Sequence, residues 1–151
     1  MNKAHIIKSL QQAKPDHIEW IKQGYKLVKG VPEEQVKKPV DCKACAFGKW
    51  YQEEGFKLVN IPQLRDVDAL HEEIHKAYTS LYYITFDRRK KARSTLITAD
   101  EVEVPVDETP FRMKKLKDLE KKTVTMIRAL NTIEKKVDEM QDQDFDNGWL
   151  N

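Results

Sequence analysis

From Leu116 to Met140 the positions Leu116, Leu119, Thr123, Met126, Leu130, Ile133, Val137 and Met140 follow one another at spacings of 3, 4, 3, 4, 3, 4 and 3. That series puts every member on one stripe of an α-helix; a strand would send members three apart to opposite faces. A second series, Val67, Leu70, Ile74, Ala77, Leu81 and Ile84, has the same period. Amphipathic helices of this length must bury their stripes against other helices. The expected class is therefore all-α.

Glycines and prolines punctuate the rest. A helix is expected from about Lys3 to Lys29, stopped at Gly30, with a kink or a restart at Pro15. Residues 31–40 hold Pro32 and Pro39 and read as a connection with one helical turn near Glu33. Asp41 is placed to cap a second helix from Cys42 to Glu54, closed by Gly55. After a linker from Phe56 to Ile61, Pro62 marks the start of the long third helix, expected to finish in the basic run Arg88 to Arg93. Val102, Val104 and Val106 alternate with other residues, and Pro105 and Pro110 interrupt any helix there, so a loop with a short extended piece is expected. A fourth helix covers about Arg112 to Met140. The reading is a four-helix bundle over residues 1–140, with long third and fourth helices, an irregular insertion at about 94–110 and an acidic, mobile tail over 141–151.

Charge narrows the partners. The 151 residues carry 27 Lys and Arg against 25 Asp and Glu, a net +2, which lacks the basic excess of a nucleic-acid binder. The longest apolar runs, such as Leu81 to Ile84, are far too short for a membrane helix. No hydrophobic signal core follows Met1, and the expected location is the cytoplasm.

Four histidines and two cysteines are the soft ligands of the chain. His71 and His75 are one helical turn apart, so both imidazoles leave the same face and can meet on one ion. The plain alternative is a pair of half-buried polar side chains satisfied by hydrogen bonds. Cys42-Lys43-Ala44-Cys45 sits at a helix start, where the dipole lowers a thiol pKa; either cysteine alone can instead be a small buried hydrophobe. His17 lies one turn from Trp20 and Ile21 and is expected to face inward, whereas His5 reads as a surface residue. Spacing permits two tetrahedral zinc sets. One is Cys42, Cys45, His71 and His75; the other replaces one cysteine with His17.

The run Cys45-Ala46-Phe47-Gly48-Lys49-Trp50-Tyr51 resembles the signature of the chemoreceptor zinc-binding domain family. That family places Cys-x-Phe/Leu-Gly-Lys/Arg-Trp between a His-x-x-Trp and a later His-x-x-x-His, matched here by His17 to Trp20 and His71 to His75. The resemblance spans roughly residues 10–85. It implies one zinc ion per chain held by His17, Cys45, His71 and His75, with Trp20, Phe47, Gly48 and Trp50 as packing residues. Cys42 has no counterpart in the pattern and is a candidate redox partner for Cys45. Family members are commonly tethered to chemoreceptor or cyclic-dinucleotide-synthesising domains, so a separate signalling protein of that type is the expected partner. The implied function is a sensory or regulatory module of bacterial signal transduction, not an enzyme, responding to zinc or to oxidation of its thiolate. The alternative is a helical interaction protein in which zinc only stabilises the fold.

Rival motifs are weaker. His71-Glu72-Glu73-Ile74-His75 is a literal His-Glu-x-x-His, with Glu72 as general base of a zinc hydrolase. Charged Glu73 and Lys76 depart from its stricter form, and a fourth protein ligand would leave no position for water. The single Glu72-x-x-His75 lacks the second copy that a di-iron bundle needs. Trp20, Trp50, Tyr78 and Tyr82 read as core aromatics. Val124 and Ile127 widen the last stripe beyond one seam, from which a homodimer is expected.

Overall fold

The structure, a computed structural model, describes residues 2–86, 95–97, 103–105 and 108–148. Helix α1 runs Lys3–Lys29, α2 Ala46–Glu53, α3 Gln63–Phe86, α4 Thr109–Asp138 and α5 Asp142–Gly148. Short 3-10 turns occur at Glu33–Gln35 and Gly55–Lys57. The expected all-α bundle is what forms: α4 packs along both α1 and α3, and α2 leans against α1. Strands β1 (Thr95–Ile97) and β2 (Glu103–Pro105) pair antiparallel, Leu96 opposite Val104, within the expected irregular insertion. The basic run Arg88 to Arg93 lies outside the described residues, as do Val102 and Val106.

Local chemistry sets the helix ends. Asn2 accepts a bond from the His5 amide at the start of α1, and Gly30 stops it with φ 81°, a left-handed conformation that costs glycine little. The helix does not restart at Pro15, which lies inside it. Pro15 and Gln11 are both exposed, so water can satisfy the carbonyl that proline leaves free. Pro110 sits in the first turn of α4, where a missing N–H costs nothing.

The stripe on α4 is buried as spaced, from Leu116 through Val137, and the Thr123 hydroxyl donates to the Leu119 carbonyl at 2.8 Å. On α3 the outcome differs. Val67, Ile74 and Leu81 are buried as expected, but His71, Tyr78 and Thr85 take the places expected for Leu70, Ala77 and Ile84, which are half-buried. The helix is turned by about one residue, which carries both histidines inward.

Two boundaries also differ. The second helix starts at Ala46 rather than Cys42, because Cys45 serves as its N-cap. Where a mobile acidic tail was expected, Asp142–Gly148 form α5, and Phe145 is fully buried. The Lys3 amide donates to Asp142 at 2.8 Å and ties this segment to the start of α1. Among the described residues no helix is long and apolar enough to cross a membrane.

Candidate metal centre

Three helices deliver four side chains to one point. His17 occupies a seam position of α1, His71 and His75 lie a turn apart on α3, and Cys45 caps α2. One donor atom from each lies within 4.8 Å of all the others. A tetrahedral ion bonded to nitrogen and sulfur holds its donors roughly 3.5 Å apart, so a small contraction closes this set on one ion.

Hydrogen bonds decide which nitrogen each ring offers. His17 Nδ1 donates to the Ala13 carbonyl at 2.7 Å, and His75 Nδ1 to the Val40 carbonyl at 2.9 Å. A carbonyl only accepts, so the proton is on Nδ1 and the lone pair on Nε2. Both Nε2 atoms are buried without a hydrogen-bond partner, as is His71 Nδ1. His71 Nε2 lies 3.0 Å from Cys45 Sγ. The proton shared by that pair is one a divalent cation would displace. An unsatisfied buried polar atom costs about 1–3 kcal/mol. The plain reading of histidines satisfied by hydrogen bonds therefore fails at the nitrogens that matter, and the donor set fits a metal ion.

Burial governs the electrostatics. The three imidazoles are at most 5% exposed. Desolvation holds each below the usual histidine range, and His71 falls to about 3 as His17 and His75 add to the effect. At neutral pH the rings are uncharged, the state that coordinates a metal. Burial also pushes the Cys45 thiol up, against the Gly48 and Phe47 amides that pull it down. This corrects the expectation that the helix start alone lowers the thiol pKa: here desolvation wins, and a bound cation would supply the charge that favours thiolate.

The neighbouring signature residues have physical roles. A Cβ on Gly48 would stand 1.8 Å from the Cys42 carbonyl oxygen, so only glycine lets the 42–45 turn fold back over α2. Phe47 meets the His71 ring edge-on at 4.9 Å and lies 5.8 Å from Trp50. Trp20 packs 5.7 Å from the His75 ring, and the Lys37 ammonium lies over the indole, 4.8 Å from the ring centroid. Trp20, Phe47 and Trp50 are all buried.

Other candidates fall elsewhere. Cys42 is half-buried and outside the converging set, so the structure brings His17, and not Cys42, to Cys45, His71 and His75. Glu72 is exposed and paired with Lys76 at 3.0 Å. His5 is exposed and meets Glu54 at 3.0 Å. The carbonyls of Ala13 and Val40 were not legible in the sequence, since a backbone acceptor leaves no mark in residue type. The loop carrying Val40 is held by the Lys37 amide donating to Gln23 at 2.9 Å and by the Tyr78 hydroxyl donating to the Lys37 carbonyl. Tyr78 lies one turn beyond His75, the single spacing cue to that support.

Residues 17–82, somewhat under half of the chain, match the family model of the chemoreceptor zinc-binding domain. Nothing among curated proteins or among solved structures matches the chain.

Proposed function

We propose, taking residues 17–82 as a chemoreceptor zinc-binding domain, that the chain is a sensory or regulatory module of bacterial signal transduction holding one zinc ion on His17, Cys45, His71 and His75. The observation that carries this reading is the pair of buried, unpartnered Nε2 atoms of His17 and His75 converging with the other two donors. Zinc would be held by His17, Cys45, His71 and His75 and would clamp their helices together, a contribution on the order of 10 kcal/mol at neutral pH. Four protein donors close that clamp and leave no position for a reacting water, which favours regulation over hydrolysis.

The residues translate occupancy into structure. His17 ties α1 to the centre, Cys45 ties α2, and His71 with His75 ties α3. Losing the ion restores unsatisfied donors in the core and loosens the packing between those helices. Oxidation is the second input. The Cys45 thiolate and hypochlorous acid give a sulfenic acid and chloride, which removes one donor. Condensation of that sulfenic acid with the Cys42 thiol would form a disulfide and release water.

The output is a chemoreceptor or cyclase-type signalling protein in a chemotaxis or cyclic-dinucleotide pathway of the cytoplasm. Val124 is exposed and Ile127 half-buried on α4, which supports a homodimer through that face. Elemental analysis of purified protein, with each donor replaced in turn, tests the centre. A conformational response graded over physiological free zinc supports the sensor. Binding far tighter than that range, unmoved by oxidant, would reduce zinc to a structural clamp.

A further inference from the structure

Residues 37–40 form neither helix nor strand. A turn closes on each side of them, with the Val36 amide on the Glu33 carbonyl at 3.1 Å and the Ala44 amide on the Asp41 carbonyl at 2.9 Å. Between those turns the path of the chain is set by side chains from two helices. From α3, His75 and Tyr78 stand three residues apart and donate to the carbonyls of Val40 and Lys37, which are three apart as well. From α1, Gln23 Oε1 accepts from the Lys37 amide at 2.9 Å. Lys37 is thus gripped at its amide by one helix and at its carbonyl by another.

The grip is buried, and its groups are committed. Tyr78 is 1% exposed and Gln23 6%. Gln23 Nε2 donates to Glu19 at 2.9 Å, which leaves Oε1 for Lys37. A backbone amide only donates, so this orientation of the Gln23 side chain satisfies both of its ends. The Lys37 ammonium lies over Trp20, and that indole packs 4.7 Å from the Tyr78 ring and 5.7 Å from the His75 ring. Backbone and side chain of Lys37 are therefore held against the wall of the centre.

We propose that Tyr78 and Gln23 are positioning residues of the metal centre, which act through Lys37 to hold the Val40 carbonyl where it keeps the proton of His75 on Nδ1. This rests on the metal centre proposed above. Neither residue belongs to the donor set. Which ring nitrogen of a histidine carries the proton is set by the bond that the other makes. With the Val40 carbonyl in place, Nε2 keeps its lone pair for the ion. With that carbonyl displaced, the proton can move to Nε2 and block the atom that binds.

The test uses the full chain and zinc alone. Competition with a chelator reads affinity, and heteronuclear NMR of labelled histidine reads the His75 tautomer in metal-free protein. Tyr78→Phe keeps the ring and removes the hydroxyl; it should weaken zinc binding by about tenfold or more and shift part of the His75 population toward the Nε2–H form. Gln23→Ala should move both readings the same way. The double variant should weaken binding by less than the product of the two single effects, because both act on Lys37. Tyr82→Phe removes the same group one turn further along α3, where it bonds the Glu33 side chain at 3.0 Å, and should leave both readings unchanged. Wild-type affinity and tautomer in Tyr78→Phe, with native circular dichroism, would overturn the proposal. Equal weakening by Tyr82→Phe would overturn it too, since the effect would then be a general loosening of α3. If metal-free Tyr78→Phe does not fold, Gln23→Ala carries the same two readings, and unmoved values there count equally against it. A wild-type chain that binds no zinc would remove the centre itself, whereas variants that bind zinc as well as the wild type would remove only the positioning role.

Discussion

The Nδ1 atom of His75 donates to the carbonyl oxygen of Val40 at 2.9 Å. That bond joins α3 to the loop leading into Cys45, and it fixes the imidazole with its Nε2 lone pair turned from the loop toward His17 and His71. One hydrogen bond thus orients a donor and anchors the segment that delivers another. The sequence places these two residues 35 apart, with no pattern linking them.

Ligand choice follows directly. Wild type should hold about one zinc per chain, and His17→Ala and Cys45→Ala should each lose most of it. Cys42→Ala should keep it. Elemental analysis decides, and a Cys42→Ala protein that is empty beside a loaded His17→Ala protein would contradict the assignment.

Gly48→Ala should damage fold and site together. The added methyl would meet the Cys42 carbonyl at 1.8 Å, closer than any relaxed contact, so the 42–45 turn must move. A loss of about 2–3 kcal/mol is expected, read from denaturant midpoints, along with weaker zinc retention. Wild-type stability in this variant would show that the turn is free to shift.

Metal-free protein should lose stability as pH falls. An unfolded histidine takes up its proton near 6.5, whereas His71 resists to about 3 and His17 and His75 are also held down. Between those values the unfolded chain binds more protons. Stability is therefore complete above about pH 6.5 and declines below it, by on the order of 1 kcal/mol per pH unit for each imidazole. Denaturation at about pH 7.5 and about pH 5 measures the slope. A flat profile would mean the rings are not buried as described.

Zinc release should track oxidation of Cys45. Coordination protects a thiolate from slow oxidants, while hypochlorous acid reacts fast enough to reach it. Chelator absorbance and peptide mass spectrometry, followed together, should rise in parallel. Equal release from a protein with Cys45 replaced, yet still zinc-loaded, would place the lesion elsewhere.

Light scattering at micromolar concentration should give twice 17.7 kDa. Charged substitutions at Val124 and Ile127 should split the dimer with zinc retained, since Val124 is 43% exposed. Joint loss of fold and zinc would assign those side chains to the core of one chain.

Helix class and the α4 seam were legible because hydrophobic spacing is a local property, read residue by residue along one strand of chain. The signature around Cys45 and the His71–His75 turn were legible for the same reason: each motif lies within one or two helical turns. What the linear chain could not decide was rotation and long-range partnership. The turn of α3 by about one residue, which leaves Leu70, Ala77 and Ile84 only half-buried, depends on what α1 and α4 present to it. The choice of His17 over Cys42 depends on where the 42–45 turn folds back over Gly48. The burial of Phe145 depends on a bond between Asp142 and the first turn of α1. Periodicity selects which stripe a helix can bury, but only packing against its neighbours sets how far that stripe turns and which backbone carbonyls meet it.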